Sequence, residues 1–272
     1  MISLTLGALV NRMISRILRN NLYGLTVSIN ELLIPGTLIE DHLSQYCVSL
    51  GVQTGDEMYP IYVPGSATLI RYQSRYFMIC TRHQLAQTNL EDVCLMLPNG
   101  PGQTQCITSG GARWFEHCDD GDHQQIVVLD FTEPCEAYPI LKPMFFDFRD
   151  QHSDMPVDSI VAFITYGYLT QRSVFDYENS RIAQTKGRVL SRFAKPGSDD
   201  ALHVIEPIEP ISFDPDGMSG GPTFFISQER SGHLKAHFAG ITIRAGRTRI
   251  MLIKAGAVQG MLNTIVRDKT GI

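Results

Sequence analysis

Residues 217–222 read Gly-Met-Ser-Gly-Gly-Pro, and this hexapeptide is the segment of the chain whose residue types are best suited to chemistry. A serine that attacks a carbonyl carbon needs a neighbouring base and N–H donors that stabilise the oxyanion. Glycines on both sides permit the tight turn that presents backbone amides beside the hydroxyl. We therefore predict Ser219 as a nucleophile, with the amides of Gly217 and Ser219 as its oxyanion hole.

A histidine suited to act as the base, His83, lies far upstream of this serine. It follows the apolar run 76–81, and residues 67–72 form a second β-favouring segment before it. The polar residues 73–75 between the two segments predict a hairpin turn. His83 is thus expected where the second strand of a hairpin ends.

The order of these residues, histidine first and serine last with each at the edge of a strand, is that of the chymotrypsin arrangement. On His83 and the 217–222 loop, the chain resembles the trypsin-like (chymotrypsin-fold) serine peptidases, over roughly residues 45–265. The resemblance implies a mainly β fold with two packed antiparallel six-stranded β-barrels and a C-terminal helix. Residues 46–150 would form the barrel that carries His83, and residues 151–272 the barrel that carries Ser219. The activity that the resemblance implies is hydrolysis of peptide bonds by a serine endopeptidase without a cofactor.

The third catalytic position departs from that family, which places an aspartate directly before a strand of the form Ile-Ala-Val-Leu. Here Gln125 precedes the strand-like residues 126–129, and the nearest acids are Asp122, Asp120 and Asp119. A carboxylate accepts the imidazole Nδ1–H better than an amide oxygen does, and it stabilises the imidazolium. We predict Asp122 as the third member. The alternative is Gln125, which would give a slow dyad with an orienting amide or a weakened relative.

Met218 occupies the position before the serine, where secreted family members carry an aspartate that pairs with a new N-terminus. The resemblance therefore implies that the zymogen switch is absent. The oxyanion loop would then be held by packing or by a partner.

The resemblance also implies a substrate pocket. By position, Phe213 is expected at its base, where an aspartate would select arginine or lysine, so a preference for basic residues is not expected. Asp214, Asp216, Ile243 and Arg244 are expected along the cleft. Ile243 and Arg244 belong to a strand that an extended substrate would join by β-pairing.

The remaining sequence favours strands. A length of 272 residues and a hydrophobic content of 43% suit two barrels plus an extension. The pattern has no alternation of strands with helices, and the polar stretch 151–158 is a suitable boundary between the barrels. Strands are predicted at residues 125–129, 159–166, 188–190, 202–205, 223–226, 237–243 and 249–253.

Residues 1–45 do not follow the barrel pattern and are predicted as an N-terminal helical extension. Apolar residues recur at helical spacing in residues 10–18, and Arg12, Arg16 and Arg19 occupy the other face. Such an amphipathic helix would either lie across the barrels or dock on a regulatory protein or an anionic membrane surface.

The chain has no evident secretion signal and no apolar run of the roughly 20 residues that span a bilayer. We therefore predict a cytoplasmic protein whose six cysteines are mostly reduced. A metal site at His117, Cys118, Asp122 and His123 is disfavoured, because zinc ligands usually come as two close pairs. The net charge of −5 gives no reason to expect nucleic-acid binding.

Two functions remain open on the sequence. The first is a serine endopeptidase, narrow in specificity or regulated by a partner, that acts on protein or peptide substrates. The alternative, motivated by Gln125 at the acid position, is a catalytically weak pseudo-protease that acts as a peptide- or protein-binding module. A cysteine peptidase of the same fold is excluded because residue 219 is serine.

Overall fold

The computed structural model describes residues 25–85, 88–98, 104–114, 125–149, 157–176, 181–197 and 199–270. Strand outweighs helix, 51% against 22%, which confirms the mainly β prediction. The predicted amphipathic helix of residues 10–19, and Asp122 with its neighbouring acids, lie outside the described residues. Within the described residues, no helix has both the length and the apolar character needed to cross a bilayer.

The first part of the fold is an open antiparallel sheet built around a long hairpin. In chain order the strands up to residue 147 are β1 (Thr26–Ile29), β2 (Leu32–Pro35), β3 (Cys47–Gln53), β4 (Ile61–Tyr72), β5 (Arg75–Thr81), β6 (Val93–Pro98), β7 (Thr104–Thr108), β8 (Ala112–Trp114), β9 (Ile126–Asp130) and β10 (Phe146–Asp147). Seven of them follow the order β7-β6-β3-β4-β5-β9-β8, and β10 adds to β4 in parallel. The end strands β7 and β8 do not pair with each other in the described part, so this sheet is a half-barrel and not the closed barrel that was expected.

The second part is a closed barrel. Its chain continues with β11 (Ile160–Tyr168), β12 (Val174–Asp176), β13 (Arg181–Ala183), β14 (Lys186–Pro196), β15 (Leu202–Pro207), β16 (Pro222–Gln228), β17 (Leu234–Ala245) and β18 (Ile250–Lys254). Six of these pair antiparallel in the ring β11-β14-β15-β18-β17-β16, which closes through the β11–β16 pair. The remaining two, β12 and β13, form a separate small hairpin.

Helices are short except at the C-terminus. The α-helices are Ile39–Ser44, Arg82–Leu85, Thr132–Ala137 and Ala255–Thr270, and the 3₁₀ turns are Gly36–Leu38, Leu90–Asp92, Pro139–Met144, Val157–Ser159 and Thr170–Arg172. The predicted C-terminal helix is confirmed as Ala255–Thr270. It reaches the first sheet, because Asn263 accepts a 2.7 Å hydrogen bond from the Tyr72 hydroxyl.

The segment before residue 46 differs from the predicted helical extension. Its described part contains the hairpin of β1 and β2 followed by the short helix Ile39–Ser44. Strand β1 runs parallel to β17, with Val27 opposite Leu234, so this hairpin extends the sheet of the second barrel. Leu32 and Leu33 are both exposed on the edge strand β2, which hides the alternation that would mark a strand in the sequence.

The hairpin of β4 and β5 has the geometry that its sequence predicts. Gln73 and Ser74 form a two-residue connection between Tyr72 and Arg75, and both have positive φ, at 47° and 66°. Positive φ at both central residues is the type I′ turn, whose twist suits a tight hairpin. Strand β5 ends at Thr81, so His83 lies on the helix Arg82–Leu85 directly after it.

An aromatic cluster joins the two parts. Phe146 meets Phe224 and Phe148 meets Phe238, both edge to face with ring centroids 5.2 Å apart. All four rings are buried in a single apolar core that takes side chains from both sheets. Edge-to-face contacts add to the free energy gained by burying such large rings. The core therefore fixes the spacing between the half-barrel and the closed barrel.

Substituting Gly240 with alanine is expected to lower the free energy of unfolding by about 2 kcal/mol or more. A Cβ at this position would lie 1.8 Å from the Ile253 carbonyl oxygen, and the backbone φ is +147°. Urea-induced unfolding measures the effect. Gly260→Ala is the matched control: it lies in the C-terminal helix, and the added Cβ would meet nothing within 4 Å beyond its own helix backbone and adjacent residues, so stability should rise by up to about 1 kcal/mol. Equal unfolding midpoints for the two variants would contradict this.

Candidate active site

The loop that carries Ser219 is a tight turn in which glycine is required. The Gly221 amide donates to the Met218 carbonyl over 3.1 Å, and Gly220 has φ +80°. This is the pattern of a type II turn, whose third residue needs positive φ. A Cβ on Gly220 would also lie 2.1 Å from the Ser66 carbonyl oxygen of β4. Any larger residue would push the loop away from the first sheet.

Packing anchors the turn from the side of the second barrel. The Met218 side chain is fully buried in a cluster with Phe163 and Leu169. Gly167 lies against it so closely that a Cβ there would be 2.5 Å from the Met218 Cα. Met218 thus anchors the loop by apolar packing directly before Ser219.

Strand β4 holds the turn from the side of the first sheet. The Ser66 hydroxyl donates to the Gly217 carbonyl and accepts from the Tyr168 amide, both at 2.7 Å. The Ser66 amide donates to the Ser219 carbonyl at 3.3 Å, and the Thr68 hydroxyl donates to the Gly220 carbonyl at 2.7 Å. Three successive bonds from one strand therefore place the turn relative to the half-barrel.

The orientation of the two predicted oxyanion donors follows from the bonds of the carbonyls that precede them. The Asp216 carbonyl accepts from the Thr170 amide at 3.1 Å, and the Met218 carbonyl accepts from Gly221. Because each peptide unit is planar and trans, the N–H groups of Gly217 and Ser219 point away from these carbonyls. Neither N–H donates a hydrogen bond within the described residues. Two amides of residues that line the Ser219 cleft are therefore without an acceptor among the described residues.

His83 and Ser219 line the same cleft, which has a volume of about 440 Å³. Its walls are His83, Gln125, Pro215, Asp216, Gly217, Ser219, Ile243, Arg244 and Ala245. The His83 side chain is exposed, and its Nε2 lies 3.4 Å from the Thr81 hydroxyl. A larger cavity of about 690 Å³ has Arg82 and Leu85 in its wall, but none of the predicted site residues lines it.

The Ser219 hydroxyl donates to the Ile243 carbonyl at 3.0 Å. Strand β17 has a β-bulge here, since Thr242 pairs with Leu252 and Arg244 with Met251, which leaves Ile243 without an opposite residue on β18. A bulge breaks the regular ladder and so frees backbone groups for other partners. The nucleophile candidate is thus bonded to the strand edge in this structure.

Gln125 is the alternative third member that the structure brings to the cleft. It directly precedes β9, and the pairing of Thr81 with Ile126 sets it beside the helix of His83. Its side-chain Oε1 is buried and has no hydrogen-bond partner among the described residues. A buried acceptor without a donor costs about 1–3 kcal/mol, and an imidazole N–H is a suitable donor.

The predicted pocket residues separate into two groups. Ile243 and Arg244 line the cleft of Ser219, but Phe213 and Asp214 do not. Phe213 lines a different cavity of about 410 Å³, where its ring lies 5.9 Å from the Arg172 guanidinium. Asp214 accepts from the Gln171 side chain at 2.7 Å and from the Asp216 amide at 3.0 Å. Phe213 and Asp214 thus lie outside the lining of this cleft, and their role in a substrate pocket stays a prediction.

Sequence reasoning missed the residues that hold the site together. Pro215 and Ala245 line the cleft together with the expected Asp216, while Ser66, Thr68 and Gln84 bond to the serine loop. Gln84 directly follows His83, which is the one local signal that could have identified it. Ser66 and Thr68 contact the loop across more than 100 residues of chain and carry no pattern of their own.

Comparison with known proteins gives no sequence relative: no family model matches the chain, and no curated protein matches it. The geometry of the site therefore carries the functional argument.

Replacing Ser66 with alanine is expected to lower the free energy of unfolding by about 2 kcal/mol or more. The change leaves the buried Gly217 carbonyl and Tyr168 amide without their partner, and each such loss costs about 1–3 kcal/mol. Ser44→Ala is the control, because the Ser44 hydroxyl makes an exposed local bond to the Asp41 carbonyl at the end of the helix Ile39–Ser44. It should change stability by less than about 0.5 kcal/mol in the same urea titration. A Ser66 variant as stable as the control would contradict the role of this hydroxyl.

Proposed function

We propose that the protein is a serine endopeptidase in which Ser219 is the nucleophile and His83 the general base. The observation that carries the proposal is the shared cleft, in which His83, Ser219 and two amides without hydrogen-bond partners in the described part of the chain come together. This combination of nucleophile, base and oxyanion donors is what acyl transfer from a peptide requires. A reaction that forms no oxyanion would give the Gly217 and Ser219 amides no role.

The chemical steps follow from these groups. The Ser219 hydroxyl attacks the peptide carbonyl while the imidazole of His83 takes its proton, and the imidazolium then protonates the leaving amine. The Gly217 and Ser219 amides stabilise the oxyanion, and each such donor contributes on the order of 3 kcal/mol to the transition state. Water then hydrolyses the acyl-enzyme through the same base.

An extended peptide is the substrate class that fits the cleft. Beyond Thr242, strand β17 pairs with β18 alone among the described strands, so residues Ile243 to Ala245 offer an edge beside Ser219. A peptide that adds to this edge would gain backbone hydrogen bonds and present a carbonyl to the serine. The nearby charges of Asp216 and Arg244 would then contribute to narrow specificity.

We further propose that the enzyme acts in the cytoplasm and is regulated by a protein partner that binds the N-terminal amphipathic segment. The cysteines at 47, 80, 94, 106 and 135 are all free thiols, which suits a reducing compartment. The basic face predicted for residues 10–19 is the basis for the partner. A cytosolic protease without such control would damage the cell.

A fluorophosphonate probe tests the activity directly, since an activated serine displaces fluoride from phosphorus and keeps the label. Wild type is expected to be labelled at Ser219, as located by mass spectrometry of the peptides. Labelling should vanish in Ser219→Ala and fall by about 10³-fold or more in His83→Ala, which lacks the base. Ser227→Ala is the control. The Ser227 hydroxyl bonds to His237, and neither residue lines this cleft, so labelling should not change. Absence of label in wild type would contradict the proposal.

The third member of the triad is decided by two further variants under the same assay. We propose Asp122 in this role, with Gln125 as the alternative, since a carboxylate orients and stabilises the imidazolium better than an amide. Asp122→Asn should reduce labelling by about 10⁴-fold if the carboxylate acts, because the tautomer of His83 is no longer set. Gln125→Ala should then reduce it only slightly. The reverse result would assign the role to Gln125, whose buried Oε1 supports it.

The second candidate function is a binding module that keeps the cleft but lacks efficient catalysis. It is favoured by one observation, the hydrogen bond from the Ser219 hydroxyl to the Ile243 carbonyl. In that case Ser219→Ala would preserve the biological activity and peptide binding. If the protein is a peptidase, Ser219→Ala should abolish the activity and leave peptide binding intact.

A further inference from the structure

Gln84 is a buried amide that connects the histidine turn to the serine loop. It lies on the helix Arg82–Leu85 next to His83, and its side chain is 8% exposed. A polar side chain buried to this extent is costly unless its hydrogen-bonding groups are satisfied. The hydrogen-bond partners of the Gln84 side chain therefore indicate its structural role.

All the hydrogen-bonding capacity of the Gln84 amide is used. Its Oε1 accepts from the Thr81 amide at 2.9 Å and from the Thr81 hydroxyl at 2.7 Å. Its Nε2 donates to the Ser219 carbonyl at 2.7 Å and to the Ser66 carbonyl at 3.2 Å. Two carbonyl oxygens face one end and two donors face the other, so the amide has a single orientation.

The surrounding backbone leaves space for this amide and little else. A Cβ on Gly65 would lie 2.5 Å from the Gln84 Nε2, and one on Gly220 would lie 2.7 Å from its Oε1. Both glycines have positive φ, +155° and +80°. The chain therefore brings bare backbone up to both ends of the side chain.

These bonds form a continuous link between the two predicted catalytic residues. The His83 Nε2 lies 3.4 Å from the Thr81 hydroxyl, which donates to Gln84, which in turn donates to the Ser219 carbonyl. The peptide that follows Ser219 is fixed at its other end as well, since the Gly220 amide donates to Thr242 at 2.8 Å. The link thus sets where the Ser219 Cα lies relative to the histidine turn.

We propose that Gln84 is a positioning residue, whose side chain holds the Ser219 carbonyl in register with the turn that carries His83. The kinetic part of this inference rests on the proposed function, while the structural part does not. A displacement of about 1 Å between reacting groups can reduce a rate roughly 10²-fold, so loss of this link should affect the reaction and not only stability.

Gln84→Met removes the hydrogen bonds with little change in volume. We expect the rate of fluorophosphonate labelling at Ser219 to fall roughly 10²-fold. We also expect the Gly220 amide to exchange its hydrogen faster, because the peptide unit has lost one of its two anchors. Gln45→Met is the matched control, since Gln45 is exposed and its side chain bonds to His42, away from the serine loop. Labelling and exchange equal to wild type in Gln84→Met would overturn the proposal.

Gln84→Glu gives a readout that a purely structural role would not produce. The ionised carboxylate would face the carbonyl oxygens of Ser219 and Ser66 with no proton to donate, whereas the protonated acid restores one donor. The groups of β4, β5 and the serine loop that contact this side chain are backbone groups and the Thr81 hydroxyl, which do not titrate. The titratable residues of the helix Arg82–Leu85, Arg82 and His83, are present in wild type as well. Burial favours the neutral acid. The ratio of the variant's labelling rate to that of wild type should therefore rise as the pH is lowered from about 8 to about 5.

The two measurements, labelling at Ser219 and hydrogen exchange at Gly220, separate failure of this inference from failure of the proposed function. If wild type is not labelled at Ser219, the proposed function fails. Hydrogen exchange alone then tests whether Gln84 holds the serine loop. Faster Gly220 exchange in Gln84→Met, with no change in Gln45→Met, would then still support the positioning role. If wild type is labelled and the ratio for Gln84→Glu does not depend on pH, the positioning role is wrong. Because Gln84→Glu is isosteric, it also serves if the methionine variant does not fold.

Discussion

The site depends on the hydrogen bonds that the first sheet makes to the backbone of the serine loop. This loop lies outside regular secondary structure, and its buried carbonyls must find partners elsewhere. Ser66 and Thr68 of β4, together with Gln84, satisfy the carbonyls of Gly217, Ser219 and Gly220. The geometry between the serine and the histidine turn is consequently a property of how the two sheets pack.

Large aromatic rings fix the spacing between the two sheets, and glycines allow the backbones to approach at that spacing. The edge-to-face contacts from Phe146 to Phe224 and from Phe148 to Phe238 resist compression, as close-packed cores do. At that spacing Gly220 approaches the Ser66 carbonyl too closely for any side chain. The aromatic core and the glycine turn are therefore complementary requirements: the first sets the distance, and the second makes the hydrogen bonds possible at that distance.

The sequence predicts the parts of this fold that depend on local patterns. The six strands predicted in the second half occur as β11 and β14 to β18, and the hairpin before His83 is confirmed. Features that depend on distant contacts were missed. Ser66 bonds to a carbonyl 151 residues away, so no local pattern marks it. The ring of Phe213 lies against Arg172, and its role in a substrate pocket stays a prediction. The role of Asp122 stays a prediction, since that residue lies outside the described part of the chain.

The hydrogen bond from Ser219 to Ile243 does not argue against a nucleophilic role, because its strength is small beside the catalytic terms. A neutral hydrogen bond contributes about 1 kcal/mol net, whereas two oxyanion donors of the proposed kind would together supply several kcal/mol in the transition state. Catalytic hydrogen bonds in enzymes without substrate are often long or directed elsewhere. A peptide that pairs with the β17 edge would approach the Ile243 bulge itself. Substrate binding and release of the serine hydroxyl toward His83 would then be a single event, which couples activation of the nucleophile to occupancy of the cleft.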